Sequence, residues 1–173
     1  MPPPVELSTY VLQSSLLLGL LFWQWRPIPA VVRDVGHLAG RRLLDAVVWA
    51  GWALAVVSAF LIDHFDLFGL RQVYLHARGE PYSPPPFRTP ALYRVVRHPI
   101  MLGFLIAFWA TPRMSAGHLL FALGNTAYIL VGIWFEERDL VAQFGERYRA
   151  YRRQVSMLLP WPRRGMDKAA RQP

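Results

Sequence analysis

Cysteine is absent from this 173-residue sequence, and lysine is almost absent, since Lys168 is the only one. Without cysteine the chain cannot form disulfides, use a thiol nucleophile, or ligate zinc or iron–sulfur clusters through thiolates. Charged residues are also scarce, at 17% of the chain against 54% hydrophobic residues, yet the formal net charge is +8. These values are compatible when long apolar segments alternate with short basic ones.

Three uncharged segments are long enough to cross a membrane as helices. Ser8–Trp25, Ala46–Ile62 and Gly117–Phe135 each run for about 17–19 residues, which is the length that the hydrocarbon core requires. A fourth run, Ile100–Ala110, reaches that length only if its helix begins near Ala91.

The sequence therefore predicts an all-α fold, a polytopic membrane helix bundle with about four spans. The spans are expected at about 8–25, 46–62, 91–110 and 117–135. They belong to a single domain that comprises residues 1–162, and residues 163–173 are expected to form a basic, disordered tail.

Basic residues flank the predicted spans, a pattern typical of anchoring at an anionic membrane surface rather than of nucleic-acid binding. Nine of them follow Glu136, so the positive-inside rule predicts a cytoplasmic C-terminus. Counting back from that end puts residues 63–90 in the cytoplasm and residues 26–45 outside, although the outer loop has four arginines. Either that loop is an interfacial helix, or one span is re-entrant.

The segment before the third span carries a helix-start signal and a proline. Thr89-Pro90 predicts the first turn of a helix, with a hydroxyl as the cap and proline at the first helical position. Pro99 would then fall inside the continuing helix and kink it, leaving a free backbone acceptor beside Arg97 and His98. Broken backbone of this kind lines cavities in membrane proteins, although a basic anchor followed by a harmless kink is the alternative.

Two carboxylates, Glu136 and Glu137, stand at the end of the last span, and the helix is expected to continue beyond them. Carboxylates at membrane depth are costly and usually functional. Glu136 and Asp139 share a helix face, where like charges repel by roughly 0.2–0.5 kcal/mol unless a cation lies between them. Arg97 or a cationic ligand could be that cation. The alternative is a solvated helix end whose partners are arginines.

A histidine and an aspartate follow the second span at His64 and Asp66, with Arg71 a little further on. Histidine titrates in the range that a general base needs, and a nearby aspartate could orient its ring. The pair could instead ligate a metal ion, but no further ligand cluster is spaced to complete such a site, so no metal is expected. A polar cluster that binds loop backbone is the remaining interpretation.

Read together, these segments resemble the membrane methyltransferase superfamily of isoprenylcysteine carboxyl methyltransferases and phospholipid methyltransferases. The resemblance covers about Tyr93–Pro160 and rests on Arg97-His98-Pro99-Ile100-Met101-Leu102-Gly103, a helical hairpin turning at 111–117, Glu136-Glu137, Phe144-Gly145, Tyr148 and Tyr151. Residues 22–29 and 64–73 add a narrower resemblance, to bacterial methanethiol S-methyltransferases and the neighbouring denitrification-associated NnrU-like membrane proteins.

The resemblance implies an enzyme of the bacterial inner membrane that uses S-adenosylmethionine to methylate a small thiol, converting methanethiol to dimethyl sulfide. It assigns Arg97, His98, Pro99, Gly103, Glu136 and Glu137 to the cofactor site, with Arg97 on the donor's carboxylate. Tyr148 and Tyr151 could stack on adenine or could simply pack on the bundle. By position, His64, Asp66 and Arg71 would serve the acceptor. A lipid or prenylated acceptor and a non-catalytic, denitrification-associated membrane protein remain the alternatives.

Overall fold

The computed structural model describes residues 6–62, 74–75, 77–79 and 89–160, which are mostly helical. The helices of these ranges are α1 Glu6–Gln24, α2 Leu38–Leu61, α3 Pro99–Trp109, α4 Ala116–Phe144 and α5 Glu146–Gln154. The same ranges contain two short antiparallel strands, β1 Val31–Asp34 and β2 Arg113–Ser115, and a turn of 3-10 helix at Ala91–Arg94. The predicted tail at 163–173 and the predicted residues His64, Asp66 and Arg71 lie outside the described residues.

Two compact units divide the chain. One comprises residues 1–27 and 59–86 and contains α1, which exposes apolar side chains such as Leu16, Leu17 and Trp23. The other comprises residues 28–58 and 87–173 and contains both strands, most of α2, and helices α3 to α5. The contacts described below all belong to this second unit.

Helices α2 and α4 are long and apolar enough to cross a bilayer, with 24 and 29 residues. Many of their large apolar side chains are exposed, among them Trp49 and Val56 on α2 and Tyr128 and Val131 on α4. Proteins in water rarely expose so much contiguous apolar surface, whereas helices that face lipid do so by necessity. The two helices therefore support membrane association.

The prediction of one continuous helix over residues 91–110 is wrong, because α3 begins only at Pro99. Proline has no N–H to donate and has a fixed φ, so it suits the first position of a helix better than an interior one. It also disfavours helical backbone at the preceding residue, and His98 has φ −123° and ψ 65°. The earlier turn at Ala91–Arg94 has no side-chain cap, so Thr89 does not have the predicted capping role.

Helix α3 is consequently short. Its 11 residues cover about 16 Å, roughly half of the hydrocarbon core, so α3 alone cannot cross a membrane.

Helix α2 begins at Leu38, well before its predicted start, because the basic segment that precedes the apolar run is already helical. Helix α4 continues through the glutamate pair to Phe144, as the sequence predicted.

Helices α2 and α3 pack with their backbones in direct contact. A Cβ atom added to Gly51 would lie 2.8 Å from the Gly103 carbonyl oxygen, and one added to Gly103 would lie 2.7 Å from the Ala55 backbone nitrogen. Ala55 and Ala107, one turn further along each helix, are also buried. Only small residues permit two helices to approach so closely.

Strand β1 holds the C-terminal end of α3. Arg33 Nη2 donates to the carbonyl oxygens of Trp109 and Thr111 at 3.2 and 2.7 Å, and the Val35 N–H donates to the Pro112 carbonyl at 3.1 Å. The last carbonyls of a helix have no partner within the helix, and a cation there also complements the helix dipole. The β1–β2 pair thus satisfies the backbone where α3 stops.

Replacing Gly103 by alanine is expected to lower the free energy of unfolding by about 1–3 kcal/mol, because the new methyl group must separate two helix backbones. Thermal unfolding in detergent, followed by circular dichroism, measures the change. Gly132→Ala on α4 is the matched control, since a Cβ there meets nothing within 4 Å. Equal stability of the two variants would contradict the described crossing of α2 and α3.

Candidate functional site

The charged motif residues of the sequence meet at one end of the second unit. Arg97 and His98 precede α3, and Glu137 lies on α4 about six turns from its start. All three side chains are buried. Helix α5 returns to the same end because Gly145, with φ 57° and ψ −129°, breaks the helix between α4 and α5. Such backbone suits glycine and few other residues.

The Arg97 guanidinium binds one carboxylate and two backbone carbonyls. Its Nε donates to Glu137 Oε1 at 2.7 Å. Its Nη1 donates to the carbonyl oxygens of Arg152 and Val155 at 3.0 and 2.8 Å. These carbonyls belong to the C-terminal end of α5, which carries partial negative charge. Arg97 therefore fastens α5 to α4, and only 5% of its side-chain surface is exposed.

Glu137 is the centre of this network. Its Oε1 contacts Arg97 and also lies 3.3 Å from His98 Nε2, while its Oε2 lies 3.2 Å from Arg152 Nε. A buried carboxylate is tolerated only where such partners replace water. With 9% of its side-chain surface exposed, Glu137 has two arginines and a histidine around it.

Glu136 has a different environment although it is the neighbouring residue. Its Oε2 lies 3.3 Å from His98 Nδ1, and 49% of its side-chain surface is exposed. Adjacent residues of a helix point about 100° apart, so one glutamate faces the interior and the other the edge. His98 thus lies between the two carboxylates, with one ring nitrogen toward each.

Backbone contacts hold the motif segment in an extended form. The Arg97 N–H donates to the Ser156 carbonyl at 2.8 Å, and the His98 N–H donates to the Met157 carbonyl at 3.1 Å. Val96 and Ser156 form an isolated parallel bridge. The segment after α5 therefore supplies the acceptors that the residues before Pro99 would have found in a helix.

Two tyrosines connect elements beside the network. Tyr151 donates from its hydroxyl to the Tyr93 carbonyl at 2.5 Å, and the Tyr93 hydroxyl donates to the Ser58 carbonyl at 3.3 Å. Burial raises the pKa of Tyr151 to about 12 and also raises the pKa of Tyr93 and Tyr148. The phenols therefore remain neutral hydrogen-bond donors at physiological pH.

The structure separates the predicted site residues into two groups. One group meets within hydrogen-bond distance and comprises Arg97, His98, Glu136 and Glu137. Tyr151 belongs to the other group, and its hydroxyl contacts the Tyr93 carbonyl oxygen. Pro99 starts α3 next to His98, whereas Gly103 faces α2. Tyr148 is almost fully buried, and its ring centroid lies 5.7 Å from that of Tyr151. This burial is what the packed-face interpretation of Tyr148 expects. Within the described ranges, no group of three or more histidines and carboxylates could hold a metal ion.

Sequence reasoning missed Arg152 and the acceptors at residues 155–157. Arg152 is one of four arginines on α5, and nothing in the order of residues distinguishes it from Arg147, Arg149 and Arg153. Spacing gives no signal either, because Arg152 lies four residues after Tyr148 and Arg147 lies four residues before Tyr151, so both arginines share a helix face with a tyrosine.

The chain is similar to known proteins of two names, one group at more than half of the aligned positions and the other at about a third. It is 63% identical over 163 residues to the methanethiol S-methyltransferase of Mycobacterium tuberculosis, and the aligned residues make up 94% of this chain and 67% of that protein. It is 61% identical over 160 residues to methanethiol S-methyltransferase 2 of Bradyrhizobium diazoefficiens, and the aligned residues make up 92% of this chain and 61% of that protein. Nurim of Sus scrofa is 31% identical over 153 residues, covering 79% of this chain and 55% of that protein.

No protein-family model matches the chain, and no solved structure matches it. The chain spans about two thirds or less of the length of these curated relatives.

Glu137→Gln is expected to lower the free energy of unfolding by about 3–5 kcal/mol, because it leaves the buried Arg97 without its counter-charge. Glu136→Gln makes the same chemical change on the adjacent, half-exposed residue and should alter stability by only about 0.5 kcal/mol. Chemical or thermal unfolding in detergent compares the two. A larger loss for Glu136→Gln than for Glu137→Gln would disprove the assigned orientations.

Proposed function

The chain belongs to the methanethiol S-methyltransferase family, and on that premise we propose that it transfers the methyl group of S-adenosylmethionine to methanethiol, forming dimethyl sulfide. The relatives that carry this name match nearly the whole chain at more than half of its positions. Those relatives are longer than this chain, which matches 67% and 61% of their lengths. The structural observation that supports it most is the exposed carboxylate of Glu136, fixed beside a buried charge network.

The residues at this site fit a cationic donor. Glu136 keeps about half of its side-chain surface accessible and contacts His98, so a positive ligand can approach a carboxylate of fixed position. When bound, S-adenosylmethionine would supply a methyl carbon that a thiolate can attack, with the neutral thioether S-adenosylhomocysteine as the leaving group. The sulfonium and the ammonium of this donor are cations that a carboxylate attracts. Tyr151, at the edge of the network, offers a ring for the adenine.

Arg97, His98 and Glu137 hold this site in place. The guanidinium of Arg97 is bound to Glu137 and to two carbonyls, so we assign it to positioning rather than to the donor's carboxylate. Fixed geometry matters because correct alignment of two reactants can contribute about 7–11 kcal/mol to lowering a barrier. Pro99 contributes by starting α3 directly after His98. Gly103 contributes indirectly, by bringing α3 against α2.

The acceptor needs a base, because the thiolate and not the thiol is the nucleophile. From the sequence, we propose that His64 removes the proton of methanethiol, that Asp66 orients its ring, and that Arg71 stabilises the anion. These residues lie outside the described ranges, so their assignment rests on residue type and order alone.

We further propose that the chain crosses the bacterial inner membrane four times, with its C-terminus in the cytoplasm. Helix α3 supports the third crossing. Near one end of α3, Arg97 contacts Glu137, and near the other, His118 Nε2 lies 2.8 Å from the Phe108 carbonyl oxygen. Those two positions on α4 are about 28 Å apart, close to the thickness of the hydrocarbon core. The backbone from Arg97 to Phe108 covers about 20 Å of this distance, and the side chains of Arg97, Glu137 and His118 make up the rest.

Purified protein in detergent, supplied with S-adenosylmethionine and methanethiol, is expected to release dimethyl sulfide, which headspace gas chromatography measures. Glu136→Gln should raise the KM for the donor at least about tenfold, since a charge-assisted contact is lost. His64→Ala should instead lower kcat by about 10²–10⁴ and leave donor binding intact.

Two results would contradict the proposal. If the protein binds the donor and forms no dimethyl sulfide but methylates a lipid or a prenylated thiol, the acceptor is not methanethiol. The absence of both donor binding and methyl transfer would favour a non-catalytic membrane protein.

A reporter fused after Pro173 is expected to be active on the cytoplasmic side, because the basic residues of α5 and the following segment resist translocation. Paired fusions to alkaline phosphatase and green fluorescent protein report the two sides. A periplasmic signal would separate the site from the cytoplasmic pool of donor and would reject the proposed orientation.

A further inference from the structure

Two arginines contact Glu137, and their surroundings differ sharply. Arg97 binds through both Nε and Nη1, to Glu137 and to two carbonyls, and has 5% of its side-chain surface exposed. Arg152 contacts the other oxygen of Glu137 through Nε at 3.2 Å and has 44% of its side-chain surface exposed. A ligand that arrives from solution can therefore reach Arg152 far more readily than Arg97.

We propose that Arg152 binds the carboxylate of the donor's amino-acid group, while Glu136 binds its ammonium; this inference rests on the proposed use of S-adenosylmethionine. Arg152 contacts Glu137 and Glu136 contacts His98, and both side chains are partly exposed. They carry one charge of each sign. A zwitterion needs such a pair. Glu137 is too deeply buried and too fully bound to supply the negative member.

The geometry fixes Arg152 before any ligand binds. Its backbone carbonyl accepts from Arg97 Nη1, and its Nε lies against Glu137 Oε2, so the residue is anchored at both ends. An arginine presents its N–H groups in one rigid plane, and fixing Nε fixes the direction of that plane. Anchoring of this kind reduces the ordering that ligand binding would otherwise require.

A purely structural role for Arg152 would give a different result. If the residue were only a structural counter-ion of Glu137, its removal would disturb the whole site, and every ligand of the site would bind more weakly. If it binds the carboxylate, only ligands that carry the amino-acid group should be affected. The two roles are thus separated by a pair of ligands that differ in that group.

The experiment measures binding of S-adenosylhomocysteine and of 5′-methylthioadenosine to the full chain in detergent by titration calorimetry. Both are uncharged at sulfur and carry adenosine, but only the first has the amino-acid zwitterion. Arg152→Gln is expected to weaken S-adenosylhomocysteine binding by at least about tenfold and to leave 5′-methylthioadenosine binding within about twofold. Arg152→Lys, which keeps the charge but not the planar geometry, should fall between Arg152→Gln and the unaltered chain.

Arg149→Gln is the matched control, because Arg149 lies one turn earlier on the same helix and pairs only weakly with Glu146, at 3.6 Å. It should change neither affinity. Unchanged S-adenosylhomocysteine binding in Arg152→Gln, or an equal loss for both ligands, would overturn the assignment while leaving the proposed function intact. Failure of the unaltered chain to bind S-adenosylhomocysteine would overturn both.

Discussion

The buried ion pair between Arg97 and Glu137 is the interaction on which the rest of this end of the protein depends. Removing either charge from water costs several kcal/mol, and the pair is stable only because its remaining donors and acceptors are also satisfied. The partners come from the segment before α3, from α4, and from the end of α5. These three parts of the chain must therefore dock together, since each holds groups that the others need.

The docking also explains why two adjacent glutamates have different environments. Glu137 is held inside by Arg97 and Arg152, and the helical rotation then turns Glu136 to the edge, where His98 limits its movement. If Glu136 binds the donor as proposed, a mutational study that treated the two residues as equivalent would combine a loss of stability with a loss of binding. The difference in burial gives the reason to test them separately.

Much of this arrangement could be predicted from the sequence, because the signals were local. Long uncharged runs predicted α2 and α4, and charges at the end of the last run predicted the importance of Glu136 and Glu137. Pro99 was misjudged, since a proline is compatible with a kinked helix and with a helix start, and only the acceptors at Ser156 and Met157 decide between them. Arg152 was missed for a similar reason: its significance comes from a partner on another helix, which no spacing along the chain encodes.

The short α3 has a consequence for the lipids around it. In the proposed four-span topology, α4 would present an apolar surface about as thick as an ordinary bilayer. Helix α3, whose side chains apart from Trp109 are buried or half-buried, would cover about half of that thickness, with Arg33 and the β1–β2 pair where helix would otherwise continue. Such hydrophobic mismatch is relieved by local thinning of the bilayer, at a cost of fractions of a kcal/mol per Å. In that topology, lipids with shorter acyl chains would fit beside α3 with less distortion, so the stability of the protein is expected to depend on acyl-chain length.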